Sequence, residues 1–556
     1  MNGSKAAKPS YSGTALNPTS PARRMARAKK NTDQTVALFI VLEGAHRSKS
    51  QAGYIGKYVP NRIQAGGNFF IVNDRIGFSY TLTSKDLRKI KNVLLLLTQS
   101  EKTVSVSIKC GMPDIMNENI KLGFLCFAGE DFDYKAAGKI FASSKEKLTS
   151  LAEIISHQVV VLKSEDLQAT IKKFQQQQLD CIVLQIGNFP NGQLVMKFIQ
   201  NFDVPMVVWA VPEPKGQKDL KLNSFCGANM VTSTLYKLDK FYKFVYGSFD
   251  DDQVLKKLEN FIRSVSAAKK LRNSTIGLVG YHTPGFNNIA FDELKLSKKT
   301  GVSVHHIDLS ELKAAMAEIP QEKVTAAIDK LKRQVSLNQM KDEDFQIYGK
   351  MFNAFKFLAK RYGCGSFAVK CWPEALNLLG MNICPVMSRL ADDEIIMGCE
   401  GDIYGTVTML IQHFLTEQQP FLADMISVDR QDNTGLFWHC GNAPASLAAN
   451  PSKAAITNVP CVFGLACSFE CKSGPITVAR LSQDADYKML LVFGQAVPDQ
   501  DVLSGTSVRV KFPDVTNLMN TVIYQGFEHH FSLIYGDITA GIEDLCELLK
   551  IEVVKI

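Results

Sequence analysis

From residue 120 onward, short apolar runs alternate with segments whose apolar residues recur at helical spacing, and that rhythm leaves few folds open. IKLGFLCF (120–127), HQVVVL (157–162), CIVLQIG (181–187) and PMVVWAVP (205–212) read as strands, with helices expected at 139–156, 165–177 and 192–201. Continuously apolar strands must be covered on both faces, and consecutive parallel strands need a crossover, so the pattern predicts βαβ units around a parallel sheet. Helices expected at 236–248 and 252–269 lead out of this unit. A second unit opens at STIGLVG (274–280) and continues through VSVHHIDL (302–309) and helices at 309–317, 321–333 and 342–362. GSFAVKCWPE (365–374) and EIIMGC (394–399) supply further strands, and Asp402–Thr416 reads as a helix. Beyond residue 425 the runs GPITVARL, YKMLLVFGQAV and TSVRVKF are separated by turns, with a helix expected at 538–549 and a last strand in IEVVKI. The expected class is α/β. Two doubly wound parallel-sheet domains (119–270 and 271–420) are followed by an antiparallel, β-barrel-like C-terminal domain (421–556).

Residues 35–118 precede these domains and read as an extra strand-rich unit, built from TVALFIVLEG, NFFIVNDRIGFSYTL, NVLLLLTQ and TVSVSIKCG with one short helix near Lys85–Ile90. No catalytic constellation stands out there, and an accessory or oligomer-contact role is the expectation. Residues 1–34 are rich in Ser, Pro, Ala, Lys and Arg and are expected to be a disordered basic tail. Composition alone leaves open an organelle transit segment or an arm that docks on an acidic partner or RNA. The formal charge is +8, and the seven cations of residues 1–30, unaccompanied by any acid, account for nearly all of it. The rest of the chain is close to neutral, which argues against nucleic-acid binding by the body.

No apolar run approaches the ~18 residues of a membrane span, and no secretory h-region precedes the tail, so a cytoplasmic location without membrane contact is expected. Thirteen scattered Cys fit a reducing compartment. Cys461, Cys467 and Cys471 have poor zinc spacing and read as structural thiols. The pair Asp392-Asp393 reads as a solvated turn.

The chemistry-bearing stretch is Cys371–Asp424. Glu400 stands at the carboxyl end of an apolar strand, where open α/β sheets bind ligands, and Asp424 closes the run PFLAD. His439 in LFWHCGNAP and His530 in FEHHFSL come from later segments. Two acids and two imidazoles make a mixed N/O divalent site, with Mn²⁺ favoured by the carboxylates and Mg²⁺ or Co²⁺ as alternatives. A hydrogen-bonded structural role is the competing reading of His439. Cys399 and Cys440 each adjoin a candidate ligand and read as packing residues, with a thiol nucleophile as the alternative.

In Glu400-x-Asp402-x-x-Gly405 with Asp424 at a spacing of 24, and in HFSLIYGDITAGIEDLCELLKI (530–551), the chain resembles the L-fucose/L-arabinose isomerases, metal-dependent aldose–ketose isomerases. The GPITVARL strand, the CWPE loop and TIGLVGYHTPGF are similar to members of that family too, and the resemblance spans about 120–556. It implies a sugar substrate (fucose, arabinose or a modified hexose such as sulfoquinovose), a cis-enediol route, a divalent ion and a homo-oligomer. By that resemblance Glu400 and Asp424 are both ligands and proton-transfer groups, His530 is the C-terminal ligand with His529 its neighbour, and His439 matches the additional His of the arabinose isomerases. The family's usual N-terminus is not recognisable in the first 118 residues, and Tyr281-His282 replaces the expected basic residue. The rival expectation is a non-catalytic assembly component that keeps an isomerase-like body and docks through its tail.

Overall fold

The structure is a computed structural model. It describes strands over 36–42, 68–72, 75–79, 81–82 and 104–108, and residues 120–556 apart from 158–159, 217, 338, 461–463 and 500–502. The tail 1–34, the helix expected near Lys85–Ile90, the run 92–99 and Cys461 lie outside the described residues.

Two units separate, Met1–Asn117 and Glu118–Ile556. In the first, β1 (Val36–Leu42), β2 (Asn68–Val72), β3 (Arg75–Ser79), β4 (Thr81–Leu82) and β5 (Val104–Ile108) form antiparallel pairs. β1 is the hub and pairs with β3, β4 and β5.

The second unit begins with β6 (Lys121–Phe127), β7 (Glu153–Ser156), β8 (Cys181–Ile186), β9 (Met206–Ala210) and β10 (Tyr242–Tyr246), a parallel sheet in the order β10-β9-β8-β6-β7. Every residue of β8 and β9 is buried, as both-face coverage demands. β10 departs from expectation, because it occupies the stretch assigned to a helix at 236–248. The preceding helix is Ser224–Lys237, and Asp239 enters the left-handed region (φ 51°), which stops it. Tyr242-Lys243-Phe244-Val245-Tyr246 then runs as an edge strand with an aromatic at every second position. The strand expected at 157–162 is Glu153–Ser156 followed by a single bridge from Val161 to Phe127.

Next come β11 (Thr275–Val279), β12 (Ser303–Ile307), β13 (Ser366–Val369) and β14 (Ile396–Cys399), parallel and ordered β12-β11-β13-β14. The C-terminal part holds β15 (Phe421–Asp429), β16 (Thr434–His439), β17 (Ala455–Val459), β18 (Gly464–Glu470), β19 (Gly474–Gln483), β20 (Tyr487–Val497), β21 (Thr506–Lys511), β22 (His530–Tyr535) and β23 (Glu552–Lys555). β15-β16-β21-β20-β19-β22 close on themselves through antiparallel pairs, making a six-stranded barrel. Closure leaves those six strands without a bare edge. β18 runs parallel to β21 and carries β17, while β23 lies parallel to β20.

Helix Ile403–Thr416 joins the second sheet to the barrel, and 12 of its 14 residues are buried. A helix covered all round must satisfy its polar side chains internally. Thr406 and Thr408 donate to the carbonyls four residues back, and Gln412 donates to the Ser532 carbonyl (3.0 Å). One apolar core, running from Val279 and Phe367 through Phe421 to Val478 and Val510, spans sheet and barrel.

Asp392-Asp393 is not a solvated turn. Asp393 pairs with Lys330 and with Lys356 (2.6 Å), and Asp392 with Arg389, at 13–14% exposure of the two carboxylates. Burial works against the Asp393 charge, but the two lysines hold its carboxyl below the usual range. A depressed folded value contributes stability above the unfolded pKa of ~3.9 that is lost as pH falls through the folded value. Asp393→Asn should therefore lower stability at pH 7 by about 2–3 kcal/mol and weaken its loss between about pH 5 and pH 3. Urea unfolding midpoints at the two pH values provide the check.

Candidate active site

Parallel strands β11, β13 and β14 end side by side, and the chain leaves each in a tight loop. Glu400, the first residue after β14, sits at φ 60° and Gly401 at φ 76°. A Cβ on Gly401 would lie 2.2 Å from the Tyr281 carbonyl oxygen, so only glycine fits where the β14 turn crosses the β11 loop. Thr283 locks this crossing: its N–H donates to the Glu400 carbonyl (3.1 Å), and its hydroxyl to the Trp372 carbonyl (3.1 Å).

Asp402 caps the helix that follows, accepting from the Gly405 N–H (2.8 Å). It also pairs with Arg480 of β19 and accepts from His530 Nδ1 of β22 (2.9 Å). A Cβ on Gly405 would come within 2.9 Å of both Asp402 Oδ2 and Arg480 Nη1, which gives the glycine of the E-x-D-x-x-G stretch a steric reason. Arg480 Nε reaches Glu528 at 3.1 Å. Asp402, Arg480 and His530 are wholly buried. Burial opposes the Asp402 charge, yet Arg480 and His530 hold the carboxyl well below the carboxylate range.

Asp424 on β15 is the cross-strand neighbour of His530 on β22, and Trp438 stands opposite it on β16. The barrel thus delivers Asp424 and His530 together, with His439 at the end of β16. His530 Nε2 lies 3.2 Å from Glu400 Oε2 and 3.7 Å from Asp424 Oδ1. The His439 and His530 rings stack at 5.6 Å. Ligand atoms of Glu400, His439 and His530 fall within 4.8 Å of one another, as do those of Asp424, His529 and His530. Sequence reasoning left His529 outside the set. It lies 3.8 Å from Glu400 and is held by Asn288 (3.1 Å) and the edge of Phe286.

Asp424 Oδ1, His439 Nε2, His529 Nε2 and His530 Nε2 are buried and lack hydrogen-bond partners among the described residues. Asp424 Oδ1, His529 Nε2 and His530 Nε2 thereby offer converging lone pairs, a donor set suited to a cation. The bond from His530 Nδ1 to Asp402 fixes which nitrogen faces the cluster. His439 differs, since its Nδ1 accepts the Cys440 N–H (2.8 Å), an arrangement that places a neutral ring's proton on Nε2. Burial opposes a charge on His530, but Asp402 and Glu400 push its pKa up to about 9. Burial likewise opposes the Glu400 charge, while His529 and His530 hold the carboxyl below its usual range.

Cys399 is buried with its sulfur 3.2 Å from that of Cys371, a contact that, with burial, raises its thiol well above the usual range. Cys440 is the opposite case. The Cys384 hydrogen bond and His439 bring it down to about 5 against burial.

Comparison with known proteins agrees with this architecture. Residues 127–272 match the fucose/sulfoquinovose isomerase N-terminal domain, and residues 437–556 the L-fucose isomerase C-terminal domain. Over both stretches the chain is similar to the L-fucose isomerase family. The sulfoquinovose isomerase of Priestia aryabhattai is 29% identical over 443 residues, covering 78% of this chain and 99% of the relative. Those of Alkalicoccus urumqiensis and Clostridium sp. (strain MSTE9) are 28% and 26% identical, with 78% of this chain and 98% of each relative covered. Glu400 and Asp424 lie between the two matched domains, and His439 and His530 inside the second.

Arg480 and Glu528 were not singled out from the sequence. A cation inside the apolar strand GPITVARL was the available signal, because a buried Arg demands carboxylates. Arg480→Met should destabilise the fold by about 3–5 kcal/mol by stranding Asp402 and Glu528. Thermal and urea unfolding measure it, and a loss under ~1 kcal/mol would count against the network.

Proposed function

We propose that the chain is a metal-dependent aldose–ketose isomerase acting on sulfoquinovose or a closely similar modified hexose. The observation that carries the reading is the convergence of Glu400, Asp424 and His530 around unpartnered lone pairs, with His530 aimed by Asp402. The names of the relatives support the sugar.

Glu400, Asp424 and His530 would hold a divalent ion, Mn²⁺ by preference and Mg²⁺ or Co²⁺ otherwise. When bound, such an ion supplies Lewis acidity toward two vicinal sugar oxygens. One carboxylate takes the proton from C2 of the aldose and returns it to C1, so the two carbons exchange oxidation level without an external redox partner. The other carboxylate moves the hydroxyl proton between O2 and O1 of the cis-enediol. Glu400, ionised and next to the buried imidazoles, and Asp424, partly open to solvent, suit these roles. His439, protonated on Nε2, then acts as a hydrogen-bond donor to a sugar oxygen rather than as a ligand.

Nuclear magnetic resonance of sulfoquinovose incubated with the Mn²⁺-supplemented protein should show the corresponding 2-ketose appearing, and chelation should abolish the conversion. Absence of turnover for sulfoquinovose and for a panel of pentoses and hexoses would overturn the reading. Glu400→Gln and Asp424→Asn should each lower kcat by at least about 10³-fold. Asp402→Asn keeps a cap and most of the shape but loses the charge that orients His530, so metal affinity should fall about 10- to 100-fold. Metal titration by calorimetry separates that effect from turnover.

A further inference from the structure

The proposed sugar creates an electrostatic difficulty. A sulfonate is anionic at every working pH, and the reacting carbons of the same molecule must approach Glu400 and Asp424. Unless a cation receives the far end, the carboxylates repel the substrate. Two cationic side chains are brought to this crevice by the contacts described. Arg480 is wholly buried and engaged with Asp402 and Glu528, so it is closed to a substrate.

Lys370 is placed differently. In register, Val279 pairs with Val369 and Val369 with Cys399, so the next residues, Gly280, Lys370 and Glu400, form one row at the carboxyl edge of the sheet. The row is tied by Lys370 N–H to the Val279 carbonyl (2.8 Å) and by Gly401 N–H to the Val369 carbonyl (3.1 Å). Adjacent strands lie about 4.8 Å apart, so Lys370 and Glu400 leave the sheet as neighbours. The Lys370 ammonium is drawn toward Glu374 (2.8 Å), a single acceptor for a group that carries three donors. The lysine side chain is 14% exposed and Glu374 about half exposed (48%), so the carboxylate is the accessible partner, the one another anion can displace. Trp372, two residues on, is 44% exposed. Its carbonyl is stitched to the Glu400 turn through Thr283. Burial and the Lys370 charge hold His282 below its usual range while Asp402 acts in the other direction, so His282 lies within reach of both fields.

Resting on the isomerase reading, we propose that Lys370 is the specificity-determining residue that receives the sulfonate of the substrate, at the mouth formed by the ends of β11, β13 and β14.

The test compares wild type with Lys370→Met, Lys370→Arg and Glu374→Gln. Two readouts are taken: the ratio of kcat/KM for sulfoquinovose to that for glucose and 6-deoxyglucose, and the calorimetric Kd for sulfoquinovose on chelator-treated protein that cannot turn it over. Lys370→Met should lower the ratio and raise Kd by about 10- to 100-fold, the loss expected for a charged hydrogen bond. Lys370→Arg should recover most of both. Glu374→Gln releases the ammonium from its competitor and should tighten sulfoquinovose binding a few-fold, which keeps the test readable should the Met variant fold poorly. An unchanged ratio and Kd in Lys370→Met, or weaker binding in Glu374→Gln, overturns the assignment. Wild-type protein that binds sulfoquinovose through Lys370 but converts no sugar would overturn the isomerase reading and leave this inference standing.

Discussion

The buried carboxylate of Asp402 is the constraint on which the rest of the structure depends. It caps the helix Ile403–Thr416, meets Arg480 from β19 and orients His530 from β22. Those three partners belong to the join between the second sheet and the barrel, so one side chain fixes where the two architectures meet. Removing a carboxylate from water costs several kcal/mol, and only a full set of partners offsets it. Asp402 has that set: a backbone N–H, a guanidinium and an imidazole. Gly405 is the steric consequence, because any side chain there would occupy the space of the ion pair.

The same join explains the awkward backbone beside it. Glu400 and Gly401 both take positive φ in the one turn between β14 and the capped helix. A non-glycine residue in that region costs of order 1 kcal/mol or more, and it persists only where its surroundings over-determine it. Here the turn is clamped by the cap on one side and by the Tyr281–Thr283 loop on the other. The outcome is a carboxylate projected from the end of a parallel sheet toward imidazoles that come from a closed barrel. Neither the sheet nor the barrel could build that cluster alone.

What the sequence disclosed, and what it hid, follows from the range of each signal. Helices such as Leu309–Ala317 and Asp342–Tyr362 and the strand Tyr487–Val497 were legible to the residue, since apolar spacing is local. Glu400, Asp424, His439 and His530 could be singled out because each closes or opens an apolar run. β10 was lost because Leu235, Leu238, Tyr242 and Val245 carry a three-and-four spacing past the end of the helix, and the left-handed Asp239 that ends the helix is not visible as a breaker. Arg480 and Glu528 were missed because their partners are distant in sequence: Asp402 lies 78 positions from Arg480, and Arg480 lies 48 positions from Glu528. Pairings of that kind need the barrel register, which apolar spacing does not encode. His529 was undervalued for a related reason. As neighbours at the start of β22, His529 and His530 present to different surroundings, and only the fold shows that both approach Glu400.

Charge balance links the cluster to its proposed occupant. Without an ion, Glu400, Asp402, Asp424 and Glu528 are set against one guanidinium. His530, pushed up to about 9, can carry a proton there that partly replaces the missing positive charge. A divalent ion among Glu400, Asp424 and His530 would take over that role, and the proton would leave as it bound. The residues of the cluster fall between 400 and 530. In the proposed reading an anionic substrate needs one further cation, and Lys370 at the end of β13 is the residue proposed to supply it.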